Sequence, residues 1–420
     1  MEDFIVRLAS CFALAVLIFA GYPSRAQDHW VASWGAGAVA CAGEEIPEAG
    51  VTYRNIVYMS LGGNRVRLTL SNRFGTEPLS IGGVTVAHSS GDDSIDTGSL
   101  RTVTFGGKPS TVIAAGATIL SDPVSFEVSP LSSIAVSIFL PAGKVSVYTG
   151  HPVSHQTNYR APGNDLQTQA MANATKLMPW HIVTAIDVMA PAADSAIVAF
   201  GDSITDGQGS TNDENHRWPN LLAARLHADP KYARFAVVDE GIGGNRILHE
   251  GGTPDARAGE HQSGLTRWSY DALDRAGVKY IILLEGINDI GHSSLIRAGL
   301  AQARQEKSPE TPITASDLIH AMTQMIDEAH AKGIKVIGAT LTPYGGANYE
   351  RPDGQEIHSQ LNDFIRHGGK FDGVIDFEKA TQDPANPDRY VPAYNEKDHL
   401  HPNDEGVKAM VESIDLSLFK

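Results

Sequence analysis

Ser195-Ala196-Ile197-Val198-Ala199-Phe200-Gly201-Asp202-Ser203-Ile204-Thr205-Asp206-Gly207 is the stretch on which the fold turns. A short apolar run with strand character stops abruptly at Gly-Asp-Ser. In open α/β sheets the reacting groups collect just past the carboxyl ends of the strands, so Ser203 stands where such a sheet would present a nucleophile. The plainer reading is a serine capping the next helix. The stretch alone leaves both open. Asp398-His399-Leu400-His401-Pro402, far downstream, favours the first.

Beyond this stretch, strand-like and helix-like segments alternate. Phe235 to Asp239, Tyr280 to Leu284, Ile334 to Leu341 and Val374 to Phe377 read as further strands. Pro219 to Ala228 reads as a helix with proline at its first position. Thr314-Ala315-Ser316-Asp317 resembles a capping box, and Leu318, Met322, Met325, Ile326 and Ala329 follow at helical spacing, with Gly333 as the stop. Glu405 to Leu418 reads as a closing helix. Such alternation predicts a parallel sheet covered on both faces.

Upstream the pattern differs. From about Asp28 to Met189, Val66, Leu68 and Leu70 alternate with Arg67, Thr69 and Ser71, and Ile134, Val136, Ile138 and Leu140 alternate again. Period-two alternation describes half-buried strands. Gly62-Gly63-Asn64, Gly91-Asp92-Asp93, Gly106-Gly107 and Pro141-Ala142-Gly143 mark turns. No strong helical stripe interrupts them, which predicts an all-β sandwich of jelly-roll-like type. Met189-Ala190-Pro191-Ala192-Ala193-Asp194 is a plausible boundary. The expected organisation is a signal peptide over 1–26, a β-sandwich domain over 27–190 and an α/β domain over 191–420.

The first residues read as an export signal. Leu8 to Ala20 is mostly apolar and too short to span a bilayer comfortably, and Ser24-Arg25-Ala26 is a small-x-small cleavage site. Glu2 and Asp3 dilute the positive charge that usually precedes such a run. Leu8-Ala9-Ser10-Cys11 resembles a lipoprotein acylation site, but most of the apolar run follows Cys11. Cleavage removes Glu2, Asp3, Arg7 and Arg25, two of each sign, so the formal net charge stays at −16. That balance argues against nucleic acid or an anionic membrane surface as the main partner. Cys41 would then be the single cysteine of an exported chain without an internal disulfide, and it reads as a small buried apolar residue. The expected location is secreted or periplasmic, with no membrane span after cleavage.

If Ser203 is a nucleophile, acyl transfer is the natural reaction, and it requires a base and a stabilised oxyanion. Asp398 and His401, three apart, let a carboxylate orient an imidazole within one loop, in the manner of a Ser-His-Asp triad. A metal site at Asp398, His399 and His401 is the rival reading, and no further His or Cys cluster supports it. Gly241-Ile242-Gly243-Gly244-Asn245 and Gly286-Ile287-Asn288-Asp289 each follow a strand and offer oxyanion donors. Taken alone, either stretch reads as a tight turn. The motif at Ser203 lacks the second glycine of Gly-x-Ser-x-Gly, so it is not the nucleophile elbow of α/β-hydrolases.

Gly201-Asp202-Ser203, Gly244-Asn245, Gly286-Ile287-Asn288-Asp289 and Asp398-His399-Leu400-His401-Pro402 together resemble, in order, the four blocks of the SGNH, or GDSL-like, hydrolase family. The resemblance covers about residues 195–420. It implies a flavodoxin-like three-layer α/β/α fold and esterase or acylhydrolase activity without a metal or other cofactor. It implies that Ser203 is the nucleophile, His401 the base and Asp398 its partner. The oxyanion donors would be Ser203, Gly244 and Asn288, with Gly243 the alternative to Gly244. Ile204 stands where the name-giving motif has leucine. Trp30-Val31-Ala32-Ser33-Trp34 and Leu70-Ser71-Asn72-Arg73-Phe74-Gly75 resemble, less specifically, the β-domain of a secreted subgroup of that family.

The expectation is therefore a secreted serine esterase acting on short acyl groups, including acetyl on carbohydrate, because no long apolar lid is evident. Its partner would be a small-molecule or polysaccharide ester. Two alternatives stay open: a lipase or thioesterase, and a carbohydrate-binding protein whose hydrolase domain is inactive. Trp218 and Trp268 read as packing residues, Arg246 and Arg267 as surface ion pairs, and His399 as structural or rim. Asn173-Ala174-Thr175 fits a glycosylation sequon.

Overall fold

The computed structural model describes residues 28–252, 260–300 and 311–420. The expected signal segment lies outside them. The amino-terminal region is built from antiparallel strands. Among them are β1 (Trp30–Gly35), β2 (Val39–Ile46), β3 (Val51–Met59), β4 (Gly63–Ser71), β5 (Gly83–Gly91), β6 (Ser132–Leu140), β7 (Gly143–His151) and β8 (Val183–Met189). One sheet runs β1, β8, β4 and the short strand Thr118–Leu120. A larger one carries β3, β6 and β5 at its centre, and β7 pairs with β2 in a third.

The alternation in β4 holds from Val66 to Leu70, with Val66, Leu68 and Leu70 buried and Arg67 and Thr69 half-buried, but Ser71, read as facing out, is buried. In β6 the half-buried expectation fails. Ile134, Val136, Ile138 and Leu140 are buried, but so are Ala135 and Ser137 between them. A second, smaller apolar cluster containing Ile56, Ala87, Ala135, Tyr159 and Met171 covers the other face of that sheet. Arg54 is also fully buried there. Its guanidinium donates to Ser137 Oγ at 2.9 Å and to the carbonyls of Asp93, Asp165, Thr168 and Gln169, which spreads a buried charge over backbone dipoles.

The second region is a parallel sheet of β9 (Ser195–Gly201), β10 (Phe235–Gly241), β11 (Val278–Leu284), β12 (Lys335–Ala339) and β13 (Gly373–Ile375). Its order is β10-β9-β11-β12-β13, the flavodoxin-like 2-1-3-4-5 arrangement. Every residue of β9 is buried, as a strand covered on both faces requires. The helices around it include α1 (Ser203–Asp206), α2 (Trp218–His227), α3 (Ile287–Arg297), α4 (Ala315–Ala331), α5 (Pro352–His367) and α6 (Asp404–Glu412).

Local chemistry sets the helix ends. At α4 the Thr314 hydroxyl accepts from the Asp317 N–H and the Asp317 carboxylate accepts from the Thr314 N–H, a reciprocal capping box. Helix α2 begins one residue before Pro219. The closing helix is shorter than its apolar pattern suggests. It ends at Glu412, where the Ser413 hydroxyl bonds the Met410 carbonyl, and Asp415 then caps a separate 3-10 turn, Leu416–Leu418.

The two regions share one buried apolar cluster that runs from Val31 to Phe419. Strand β1 lies against β10, at the edge of the parallel sheet. The fit is close: a Cβ on Gly35 would stand 2.2 Å from Glu240 Oε1. Ser60 Oγ accepts from the Val237 N–H at 3.1 Å, and the Ala32 N–H donates to the Ala276 carbonyl at 2.8 Å. An edge strand that could recruit another chain is covered instead. Cys41 is buried, and burial pushes its thiol up to about 12.

Candidate active site

Strand β9 ends at Gly201, where a side chain has no room: a Cβ would lie 2.2 Å from Thr205 Oγ1 and 2.4 Å from the Leu284 carbonyl. Asp202 caps the short helix α1 through the Ile204 N–H at 3.0 Å. Ser203 is therefore the first residue of a helix, a position whose N–H has no acceptor within its own helix. Burial pushes the Asp202 carboxyl up to about 7.

Ser203 Oγ lies 2.8 Å from His401 Nε2. His401 Nδ1 lies 2.6 Å from Asp398 Oδ2. The other oxygen of Asp398 accepts the N–H groups of Leu400 and His401, each at 3.0 Å. Against the burial that raises it, the His401 ring and these N–H groups hold the Asp398 carboxyl below the usual carboxylate range. The carboxylate thus fixes both the ring and the backbone carrying the ring. His399, with φ at +61°, turns away in the same loop and packs against Gly346.

The two glycine- and asparagine-bearing loops meet beside the serine turn. Asn288, buried in the first turn of α3, donates from Nδ2 to the Asn245 carbonyl at 3.0 Å. A side-chain amide has a second N–H to offer. Gly244, the residue before Asn245, has φ at +74°, a conformation that favours glycine. The N–H of Gly243 is spent on Asp206 Oδ2 at 3.1 Å. Asp289 grips the far side of the same loop, accepting from Ile247 at 2.8 Å and Leu248 at 3.0 Å.

A model of the GDSL-like lipase/acylhydrolase family matches residues 199–409. The chain belongs to that family. It is a carboxylic ester hydrolase. No curated protein sequence matches it. Among solved structures the hydrolase resembles a GDSL-like lipase from Bacteroides thetaiotaomicron at 19% identity, with 53% of this chain and 87% of that one covered and a TM-score of 0.36. It also resembles the acetyl xylan esterase AlAXEase at 20% identity, covering 52% and 96%, with a TM-score of 0.37. An acetyl xylan esterase from Geobacillus stearothermophilus is similar at 16% identity, covering 52% and 92%, with a TM-score of 0.37.

Beneath the loops of the hydrolase lies a buried charge network that corrects the sequence reading. Arg267, expected in a surface ion pair, is fully buried. It donates from Nε to Asn245 Oδ1 at 2.6 Å, from Nη1 to the Glu240 carbonyl at 2.7 Å and from Nη2 to the Gly201 carbonyl at 2.8 Å. Its guanidinium carbon stands 3.8 Å from the Phe200 ring centroid, Nη2 lies 3.4 Å from Glu285 Oε2 and Nη1 lies 3.5 Å from Asp271 Oδ2. One cation thus binds the ends of β9 and β10 to the Gly244-Asn245 loop. Burial pushes the Glu285 carboxyl well up. Arg246 is buried too, and donates to the Glu250 carbonyl at 2.8 Å. Trp218 and Trp268 are packing residues, each fully buried.

Two anchors escaped the sequence reading. Asp404, at the start of α6, accepts from the Thr211 N–H at 2.9 Å and hydroxyl at 2.7 Å, and bonds His216 Nδ1 at 2.9 Å. It ties the loop after α1 to the segment that carries His401. Asp206 lies within the quoted stretch, and its spacing from Ser203 was the available signal. Its partner, His151 on β7, is 55 residues upstream and carries no local signal.

Proposed function

We propose that this hydrolase cleaves short-chain carboxylic esters, acetyl groups on carbohydrate among them, with Ser203 as nucleophile, His401 as base and Asp398 as the group that orients it. The observation that carries the reading is the 2.8 Å approach of Ser203 Oγ to His401 Nε2, with Asp398 on the opposite ring nitrogen at 2.6 Å. With Nδ1–H held by Asp398, the lone pair at Nε2 faces the hydroxyl and takes its proton as the oxygen attacks the ester carbonyl. The resulting oxyanion is held by the N–H groups of Ser203 and Gly244 and the Asn288 amide. His401 then protonates the leaving alcohol, and water repeats the sequence on the acyl-enzyme. Gly244 is preferred to Gly243 because the Gly243 N–H already serves Asp206.

The short acyl assignment is supported by surface chemistry. Among the described residues the exposed large apolar side chains are Val112, Leu120, Val153 and Leu300, scattered along the chain and outside the serine and histidine loops. A long acyl chain needs a contiguous apolar surface. The same reading takes residues 1–26 as a cleaved export signal. It divides the remainder into a β-sandwich domain over 27–190 and the hydrolase domain over 191–420. The sandwich is supported by antiparallel sheets that contribute Val57, Val136, Leu68 and Leu70 to one apolar cluster.

The test is a panel of p-nitrophenyl esters of increasing acyl length, with acetylated polysaccharides, on the wild type and Ser203→Ala. Activity falling with chain length, and lowered on the order of 10⁴-fold or more in Ser203→Ala with the fold intact, is the expected result. Undiminished turnover by Ser203→Ala removes the serine from the mechanism.

A further inference from the structure

Strand β7 of the amino-terminal region ends at His151, which is 3% exposed. Its Nδ1 lies 2.7 Å from the Gly37 carbonyl, and its Nε2 lies 2.8 Å from Asp206 Oδ1 and 3.1 Å from the Val153 carbonyl. Carbonyl and carboxylate oxygens only accept, so two ring nitrogens facing them must both carry protons. The geometry is that of an imidazolium on a carboxylate, sealed between the two regions. The other oxygen of that carboxylate receives the Gly243 N–H at 3.1 Å.

We propose that His151 is a positioning residue for ester hydrolysis: through Asp206 it fixes the Gly243 peptide and so aims the next N–H, that of Gly244, at the oxyanion. The inference rests on the assignment of Gly244 as an oxyanion donor. It gives the β-rich region a part in the chemistry, because Gly37 and Val153 on that region set the ring and the ring sets the catalytic loop. The arrangement is tight on both sides. A Cβ on Gly241 would stand 2.1 Å from the Asp206 N–H nitrogen, so the loop cannot slide along α1.

Among the described residues, Asp206 and Arg217 act on the charge of the His151 ring, and the ring in turn acts on His155 and Asp239. Burial opposes the charge on His151, and Asp206 outweighs it, raising the imidazole to about 9. Asp206 is correspondingly held low, against its own burial, by His151 first and by His155 and Arg217 after it. Deprotonation of His151 at high pH leaves a neutral ring against a buried carboxylate and slackens the hold on Gly243.

The experiment compares His151→Gln, Asp206→Asn and the double variant in the full-length enzyme with p-nitrophenyl acetate, each checked by circular dichroism and melting. Displacing an oxyanion donor without deleting it lowers kcat on the order of 10- to 100-fold and leaves KM within about twofold. Because the two side chains act in series, the double variant is no slower than the slower single one. A folded His151→Gln enzyme with wild-type kcat overturns the proposal, as do additive losses or a change confined to KM. Should the variants fail to fold, the wild-type profile decides. Corrected for background hydrolysis, kcat falls through an alkaline limb near pH 9, and a flat kcat from pH 8 to 10 overturns the proposal. Ser203→Ala, run alongside, separates the two ideas. Full turnover there defeats the serine mechanism itself, whereas an inactive Ser203→Ala beside an unimpaired His151→Gln defeats the positioning role alone.

Discussion

The amino-terminal sheets and the parallel sheet bury charge differently. In the β-rich region Arg54 lies fully buried and donates to four backbone carbonyls and the Ser137 hydroxyl, while the Asp93 and Asp165 carboxylates act on it only electrostatically. It staples loops to a sheet. Around the parallel sheet, Asp202, Asp206, Glu240, Arg267, Asp271, Glu285 and Asp289 are all buried, and nearly all lie at the carboxyl ends of β9, β10 and β11 or in the loops and helix turns beside them. Burying charge is unfavourable, and a sheet can do without it. Its concentration at one end of one sheet marks where loop geometry is held to small tolerances. Part of that hold comes from the other region, through His151.

The largest effect is expected at Asp398. Asp398→Asn keeps the shape but supplies an amide where the ring needs a carboxylate, so kcat falls on the order of 10²- to 10⁴-fold with little change in melting temperature. A kcat within a few-fold of the wild type would mean the ring is held by the backbone alone. The next test sets the two buried arginines against each other. Arg267→Met strands Glu285, leaves Asp271 to Arg275 alone, and costs about 3–5 kcal/mol in denaturant unfolding. It also lowers kcat, because the Gly201, Glu240 and Asn245 anchors go together. Arg54→Met leaves carbonyls unpaired and costs about 2–4 kcal/mol, with the kcat of the folded fraction unchanged. Equal kcat losses in both variants would dissolve the contrast between the regions.

A third test uses pH. His151 binds its proton more tightly in the folded chain than its ordinary value of 6.5, rising to about 9. Its contribution to stability is complete below pH 6.5 and is lost as pH rises through 9, about 3 kcal/mol in all. Unfolding free energies measured from pH 6 to 10 should decline over that window and flatten in His151→Gln. The smallest effect is a control within the hydrolase region. Thr314→Ala removes one half of the α4 capping box and costs about 1 kcal/mol, with kcat unaltered.

Some of this was legible along the chain. The switch from period-two to strand–helix alternation near residue 190 separates antiparallel from parallel sheets, since each pattern follows directly from which faces a strand buries. Strand β6 misled because its second face is covered by a cluster that includes Met171, and no local pattern announces a partner so distant in sequence. The serine, the Asp-x-x-His pair and the two glycine- and asparagine-bearing turns were legible because each is a short motif at a strand end or in a loop. Arg267 was misread for the opposite reason: an arginine in a helix is ordinarily solvated, and its burial depends on acceptors contributed by Gly201, Glu240 and Asn245.

The sequence by itself determined the order of the elements, the family and the residues proposed as nucleophile, base and oxyanion donors, because side-chain chemistry and hydrophobic period are local properties. Only the tertiary structure decided which groups meet: His401 at Ser203, Arg267 beneath the loops, and His151 reaching across from another sheet to Asp206. Those meetings depend on chain crossings and shared burial, which set distances between residues that no spacing along the chain encodes.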